Sequence, residues 1–273
     1  MRARVLDRAL RVAVTRAGAP GGIRFTERQL YYEVCRVVVP VPRGLRRPAF
    51  TVPAAVRYTD FRAALDAHGP VTGLLTPAPP RPRPAGAHTE EPDLFDYGLP
   101  RLLVCESHAV AEMLRANGVP MESACPVYSA AELPLDPRVT GMLARVDDSA
   151  MFLLHDASVA GMRFPERLRT STPVPEGVRV VPLGLRPRQA GALHATHLPD
   201  PAGVPDPGGD AWESAWSRGG RRGHRGRRVD VEAVRPAALL RTVHRLVREV
   251  RPPAGPTPWH RLRATGFLTW PTA

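Results

Sequence analysis

The chain has 273 residues, 43% of them hydrophobic, and a formal net charge of +12. That composition supports one large core or two moderate ones and excludes a chain disordered throughout. All the basic side chains are arginine, since no lysine occurs; the excess invites a polyanionic partner, and the Ala/Arg/Pro/Gly bias of a G- and C-rich genome accounts for part of it.

The three cysteines, Cys35, Cys105 and Cys125, lack CxxC spacing and support neither a disulfide framework nor a zinc site. The N-terminus interleaves arginine with short apolar pairs, so no signal peptide is expected. No run approaches the roughly 18 apolar residues of a membrane span. The expectation is a soluble, cytoplasmic protein without membrane contact.

Residues 3–17 predict a helix with Val5, Leu6, Ala9, Leu10 and Ala13 on one face. Ala19-Pro20-Gly21-Gly22 ends it. Phe25 to Arg36, FTERQLYYEVCR, reads as an amphipathic helix with Thr26 as N-cap. Its spacing sets Leu30 near Val34 and brings Tyr32 beside Arg28, roughly 40° around the helix. An arginine near a phenol favours phenolate and can hold a phosphate oxygen; two adjacent tyrosines also pack helices onto cores. Residues 40–53 are a Pro/Arg-rich connection. A third helix is expected from Pro53 to His68, carrying Arg57 and Arg62, and VTGLL reads as a short strand. Three helices and a small wing suggest a winged-helix module over residues 1–76.

Residues 77–96 form a Pro-rich linker without periodicity. Beyond it, RLLVCE (Arg101 to Glu106) is a continuous apolar run suited to a buried parallel strand. A helix follows from Ser107 to Asn117, then strands near Ser123–Tyr128, Ala150–Leu154 and Arg179–Leu183. The alternation predicts a parallel α/β sheet over residues 97–250. Within it, residues 199–228 are expected to be a flexible Arg/Gly loop, whose Arg221, Arg222 and Arg225 are candidate DNA contacts alongside Arg57 and Arg62. Pro236 opens a last helix with Leu239, Val243, Leu246, Val247 and Val250 on one face. Residues 251–273 read as a tail.

Two acids stand where an open α/β sheet places its active site, at the carboxyl ends of strands. Glu106 ends RLLVCE and Asp156 ends MFLLHD. If their strands are neighbours the carboxylates meet, and a hard oxygen pair suits Mg²⁺. Ser107-His108 is no nucleophile elbow, because GxSxG is absent. His194 and His197, three apart, have no HExxH or cysteine partner. Neither Walker A nor GxGxxG occurs.

Five segments, in order, resemble the type IIB topoisomerase A subunit (topoisomerase VI) and its meiotic break-forming relatives. FTERQLYYEVCR resembles the family's T-x-R-x-x-Y-Y helix. LLVCESHAVAEML resembles its first Toprim strand and helix, with the glutamate at Glu106. FLLHDASVAG resembles its acidic D-x-D-P-x-G strand. VVPLGLRPRQAGALHATHLP and VDVEAVRPAALLRTV resemble its later GL-x-P and E-x-A-x-x-P-x-x-L segments.

The resemblance implies a winged-helix (CAP-like) domain joined to a Toprim domain, acting as a homodimer on double-stranded DNA with a GHKL-type ATPase partner. It implies Tyr32 as nucleophile forming a 5′-phosphotyrosyl link, Arg28 as its supporting cation, and Glu106 and Asp156 as Mg²⁺ ligands, with each active site shared between protomers. The setting would be the nucleoid. Two positions depart from the pattern. The second acid of the D-x-D pair is Ser158 and the proline is Val159, whereas Gly161 is retained. Losing a charged ligand weakens a Mg²⁺ site, so a non-catalytic DNA-binding protein on the same scaffold, or a Toprim nuclease of a defence system, stands beside the strand-breaking transesterase.

Overall fold

The computed structural model describes residues 2–40, 50–77, 97–200 and 227–248. Helix α1 (Arg2–Ala17) buries Ala9, Leu10, Ala13 and Ala17. Val5 falls about 100° from the middle of that stripe and is exposed, unlike the expectation. Helix α2 (Glu27–Val38) begins with a capping box. Thr26 Oγ1 accepts from the Gln29 backbone N–H at 3.1 Å, and Gln29 Oε1 accepts from the Thr26 N–H at 2.9 Å. Such a cap contributes about 1 kcal/mol and fixes where the tyrosine helix starts.

Helix α3 (Tyr58–His68) is shorter at its front than the spacing predicts. Pro53 biases Val52 toward extended backbone, and Val52–Pro53 form strand β1 instead. The VTGLL segment contributes only an isolated parallel bridge, Leu74 to Phe25. Gly73 explains the interruption: its φ is +84°, and a Cβ there would lie 3.0 Å from the Ile23 carbonyl.

A four-stranded, wholly parallel sheet follows, in the order β3-β2-β4-β5. Its strands are β2 (Arg101–Cys105), β3 (Val127–Ser129), β4 (Ala150–Leu154) and β5 (Arg179–Gly184). Strand β3 starts later than the expected Ser123 because Val119–Ser123 coil into a short helix, α5. Pro126 then has no N–H for the ladder; only its carbonyl joins, accepting from Leu103 N–H at 2.9 Å.

Side chains alternate across this sheet. Leu103, Cys105, Ala150, Phe152 and Leu154 face a core built with α1–α3, α4 (His108–Ala116) and the last helix, α10 (Pro236–Val247). Leu102, Val104, Met151 and Leu153 face a second core with α6 (Pro137–Ala144) and α8 (Phe164–Ser171). Both faces are covered, which is why β2 and β4 read as unbroken apolar runs. The protein is therefore a mixed α/β structure with a parallel sheet.

A second, small sheet ties the N-terminal helices to the rest. Strand β1 pairs in parallel with β6 (Thr196–Pro199), which follows helix α9 (Pro187–Ala192) and pairs antiparallel with β7 (Arg227–Arg228). With Leu10, Leu30 and Phe61 in the same core as Leu103 and Val243, the segments before and after the expected linker share one hydrophobic interior. Residues 78–96, most of the 199–228 loop with Arg221, Arg222 and Arg225, and the 251–273 tail lie outside the described residues. No helix among the described residues is long and apolar enough to cross a membrane.

Candidate functional site at the carboxyl edge of the sheet

Strands β2 and β4 are neighbours, with Cys105 opposite Leu154, so the residues just past their ends meet. Glu106 Oε2 accepts from the backbone N–H of Asp156 at 3.1 Å. Beyond Asp156, the chain bonds to a later segment: Ala157 and Val229 exchange two backbone hydrogen bonds, 2.9 and 3.0 Å long. That bridge lays residues 229–233 across the strand end. Asp156 Oδ1 accepts from the Val231 N–H at 2.7 Å. Asp230 is thereby set facing α2.

Tyr32 and Arg28, one turn apart on α2, converge on the same oxygen. The Tyr32 hydroxyl donates to Asp230 Oδ2 at 2.6 Å, and Arg28 Nη1 donates to it at 3.1 Å. Arg28 also lies over the Tyr58 ring, 5.4 Å from its centroid. Tyr31 points elsewhere. Its hydroxyl donates to the Val56 carbonyl at 2.8 Å, and its ring packs against Tyr58 and Phe61. One tyrosine of the pair thus serves packing, and the other reaches the acids.

The electrostatics follow from burial of like charges. Asp156 has its carboxyl raised well above the ordinary range, first by burial and then by the nearby Asp230 charge. Glu232, also buried, is pushed up to about 7 by burial and Asp230, with Arg28 and a hydrogen bond from Thr26 pulling the other way. Burial raises the Tyr32 phenol above its usual value, Asp230 raises it further, and Arg28 only partly opposes them. Arg28 therefore does not make Tyr32 a phenolate in this arrangement. It neutralises Asp230, and the phenol keeps its proton.

Comparison with protein-family models, curated proteins and solved structures gives no match. The site must be read from its own geometry.

Tyr32, Arg28, Glu106 and Asp156 come from three distant stretches of sequence and are linked within one chain through the 229–233 segment: Tyr32 and Arg28 bond to Asp230, Asp156 bonds to Val231, and Glu106 bonds to the Asp156 N–H. Ser158 is close in sequence but differently employed. It caps helix α7 (Val159–Met162), its Oγ accepting from the Gly161 N–H at 2.9 Å. Arg57 is exposed just before α3, and Arg62 Nη1 pairs with Glu27 Oε2 at 2.6 Å. His194 and His197 do not share a helix. His194 stacks on Phe50, while His197 lies in β6.

Asp230 and Glu232 are the residues that sequence reading left without a role. The available signal was V-D-V-E-A, acids alternating with apolar residues immediately ahead of Pro236.

A divalent ion fits this arrangement poorly. Glu106 Oε1 is held by Arg167 Nη2 at 2.6 Å and Oε2 by the Asp156 N–H. One Asp156 oxygen is held by Val231 N–H, and Ser158 is committed to its cap. Among the described residues, no group of three or more His, Cys, Asp or Glu side chains is placed to hold a metal.

Proposed function

We propose that this chain is a DNA-binding, strand-breaking transesterase resembling the topoisomerase VI A subunit, with a winged-helix module carrying Tyr32 and a Toprim-like sheet carrying the acids. One observation carries the reading: Tyr32 and Arg28 of α2 converge on Asp230 beside Asp156 and Glu106, at the edge where parallel sheets present their chemistry. In the proposed step the Tyr32 oxygen attacks a DNA phosphorus and its proton passes to Asp230. The bond from phosphorus to the 3′ oxygen breaks, and that departing oxygen takes a proton from solvent water, leaving a 5′-phosphotyrosyl enzyme and a free 3′-hydroxyl. Arg28, released from Asp230 once that carboxyl is protonated, is placed to pair with a phosphate oxygen.

Tyr32 has no exposed surface, so the chain by itself holds this centre closed. Opening it is assigned to duplex DNA, homodimerisation and a GHKL-type ATPase partner, acting in the cytoplasm at the nucleoid. Arg57 and Arg62, and Arg221, Arg222 and Arg225, are the proposed DNA contacts.

A second reading is a non-catalytic DNA-binding protein on the same scaffold. The complete burial of Tyr32 and the use of Ser158 as a cap favour it.

Covalent trapping separates them. End-labelled duplex is incubated with the chain and Mg²⁺ or Mn²⁺, denatured in SDS, and examined for label migrating with protein. An adduct lost in Tyr32→Phe supports the transesterase. Retained DNA binding with no adduct, even with a partner ATPase, supports the second reading. Cleavage that survives Tyr32→Phe but fails in Glu106→Ala identifies a Toprim nuclease.

A further inference from the structure

Helix α1 carries Arg4, Arg8 and Arg11 at i, i+4 and i+7, all exposed. At 100° per residue they fall within about 60° of one another. Their row lies opposite the stripe of Leu10, Ala13 and Ala17 that is buried against α2 and α3.

This placement works against the helix. The first turn contains no acidic residue, and Arg4 stands in that turn, where the macrodipole disfavours cations. Arg4 and Arg8 also repel each other as a like-charged i,i+4 pair. The single acid of α1, Asp7, pairs with Arg11 and lies 3.7 Å from His68 of α3. A row of cations set where local stability opposes it calls for an external anion.

From Arg4 to Arg11 the helix rises about 10.5 Å, close to the roughly 10 Å that four successive phosphates of one DNA strand, three intervals, cover along the duplex axis. An anionic membrane fits less well. The apolar stripe that would insert is already inside the core, and only Val5 and Val12 remain outside it.

We propose that the Arg4–Arg8–Arg11 row of α1 is a phosphate-backbone contact for duplex DNA, separate from the Tyr32 centre and indifferent to base sequence. It rests on the reading of the chain as a DNA-binding protein. Arg11 is held in reserve by Asp7 and exchanges that carboxylate for a phosphate when DNA arrives.

The test is a salt titration of labelled-duplex binding by the full chain and by Arg4→Gln/Arg8→Gln/Arg11→Gln. The slope of log K against log salt should shallow by about 2.7, or about 0.9 per arginine in the single variants. Affinity at moderate salt should fall about tenfold or more, equally for unrelated sequences. Asp7→Asn should instead raise affinity by releasing Arg11. Circular dichroism checks the fold, and the single variants decide if the triple variant fails to fold. A wild type that binds with steep salt dependence and variants with an unchanged slope overturn the α1 contact while leaving the DNA reading intact. A wild type that binds no duplex at low salt removes both. Arginine-dependent binding to phosphatidylserine vesicles without duplex binding overturns the proposal in favour of a lipid surface.

Discussion

Tyr32 and Asp230, 198 residues apart in sequence, share a 2.6 Å hydrogen bond in which the phenol is fully buried and the acid is 4% exposed. The bond fastens α2 to the segment ahead of α10, and Arg28 reinforces it from the solvent side. The same contact would be both a structural tie and the path for the phenolic proton.

Asp230→Ala should therefore destabilise strongly, by about 3–5 kcal/mol, because it strands a buried hydroxyl and removes the partner of Arg28. Tyr32→Phe should cost less, about 1–3 kcal/mol, since Asp230 keeps the guanidinium. Urea unfolding of both single variants and the double variant gives the coupling. Additive effects would mean that the two groups do not depend on each other.

Glu232 predicts a pH dependence. Its carboxyl titrates at about 7 in the folded chain, above the ordinary 4.3 or so of an unfolded chain. The folded state thus holds its proton more tightly between those values. This contribution is fully present below the unfolded value, declines as pH rises through the window, and is gone above about 7. The size is on the order of 3 kcal/mol, and Asp156 acts in the same direction. Glu232→Gln should flatten the fall in unfolding free energy between pH 5 and 8, relative to wild type, by about that amount. An unchanged profile would remove Glu232 as its source.

Much of this frame was legible in the chain. The capping residue Thr26, the unbroken apolar runs of β2 and β4, and the strand-end acids Glu106 and Asp156 follow from local chemistry and from burial on both faces. The shared interior was not legible, because the 52–53 and 196–197 pairing joins segments with no mutual pattern. Nor was Asp230. Its role depends on the Ala157–Val229 bridge, a contact between distant backbones that no spacing rule encodes. The protonated phenol has the same origin: Arg28 is visible beside Tyr32 in the sequence, but the buried carboxylate that claims them both is not.

Gly161 is required by close approach. A Cβ there would lie 2.2 Å from the Asp156 carbonyl oxygen and 2.9 Å from Glu106 Oε2. Backbone cannot yield as a flexible side chain can, so Gly161→Ala should cost about 1–3 kcal/mol and displace Asp156 from the Val231 N–H. A melting temperature equal to that of wild type would show that the turn relaxes without strain.

Ser158 offers a graded test of its cap. Ser158→Ala should destabilise by about 1 kcal/mol, and Ser158→Asp should retain most of the cap, because aspartate serves as well as serine there. Equal losses in the two variants, measured by thermal unfolding, would show that a capping side chain is not what the serine contributes there.

Arg167 occupies one carboxylate oxygen of Glu106. Its guanidinium donates to Glu106 at 2.6 Å and to the Ala160 carbonyl at 3.3 Å, and it lies 5.4 Å from the centroid of the Phe164 ring. The pair is partly exposed, so removing it should change stability by less than about 1 kcal/mol. Its loss should matter more for cations: Arg167→Ala leaves Glu106 and the raised Asp156 carboxyl short of positive charge. Added Mn²⁺ should then raise the melting temperature of Arg167→Ala more than that of wild type, and Arg167→Ala/Glu106→Gln should lose the gain. Equal Mn²⁺ responses in wild type and Arg167→Ala would show that the arginine does not compete for this edge of the sheet.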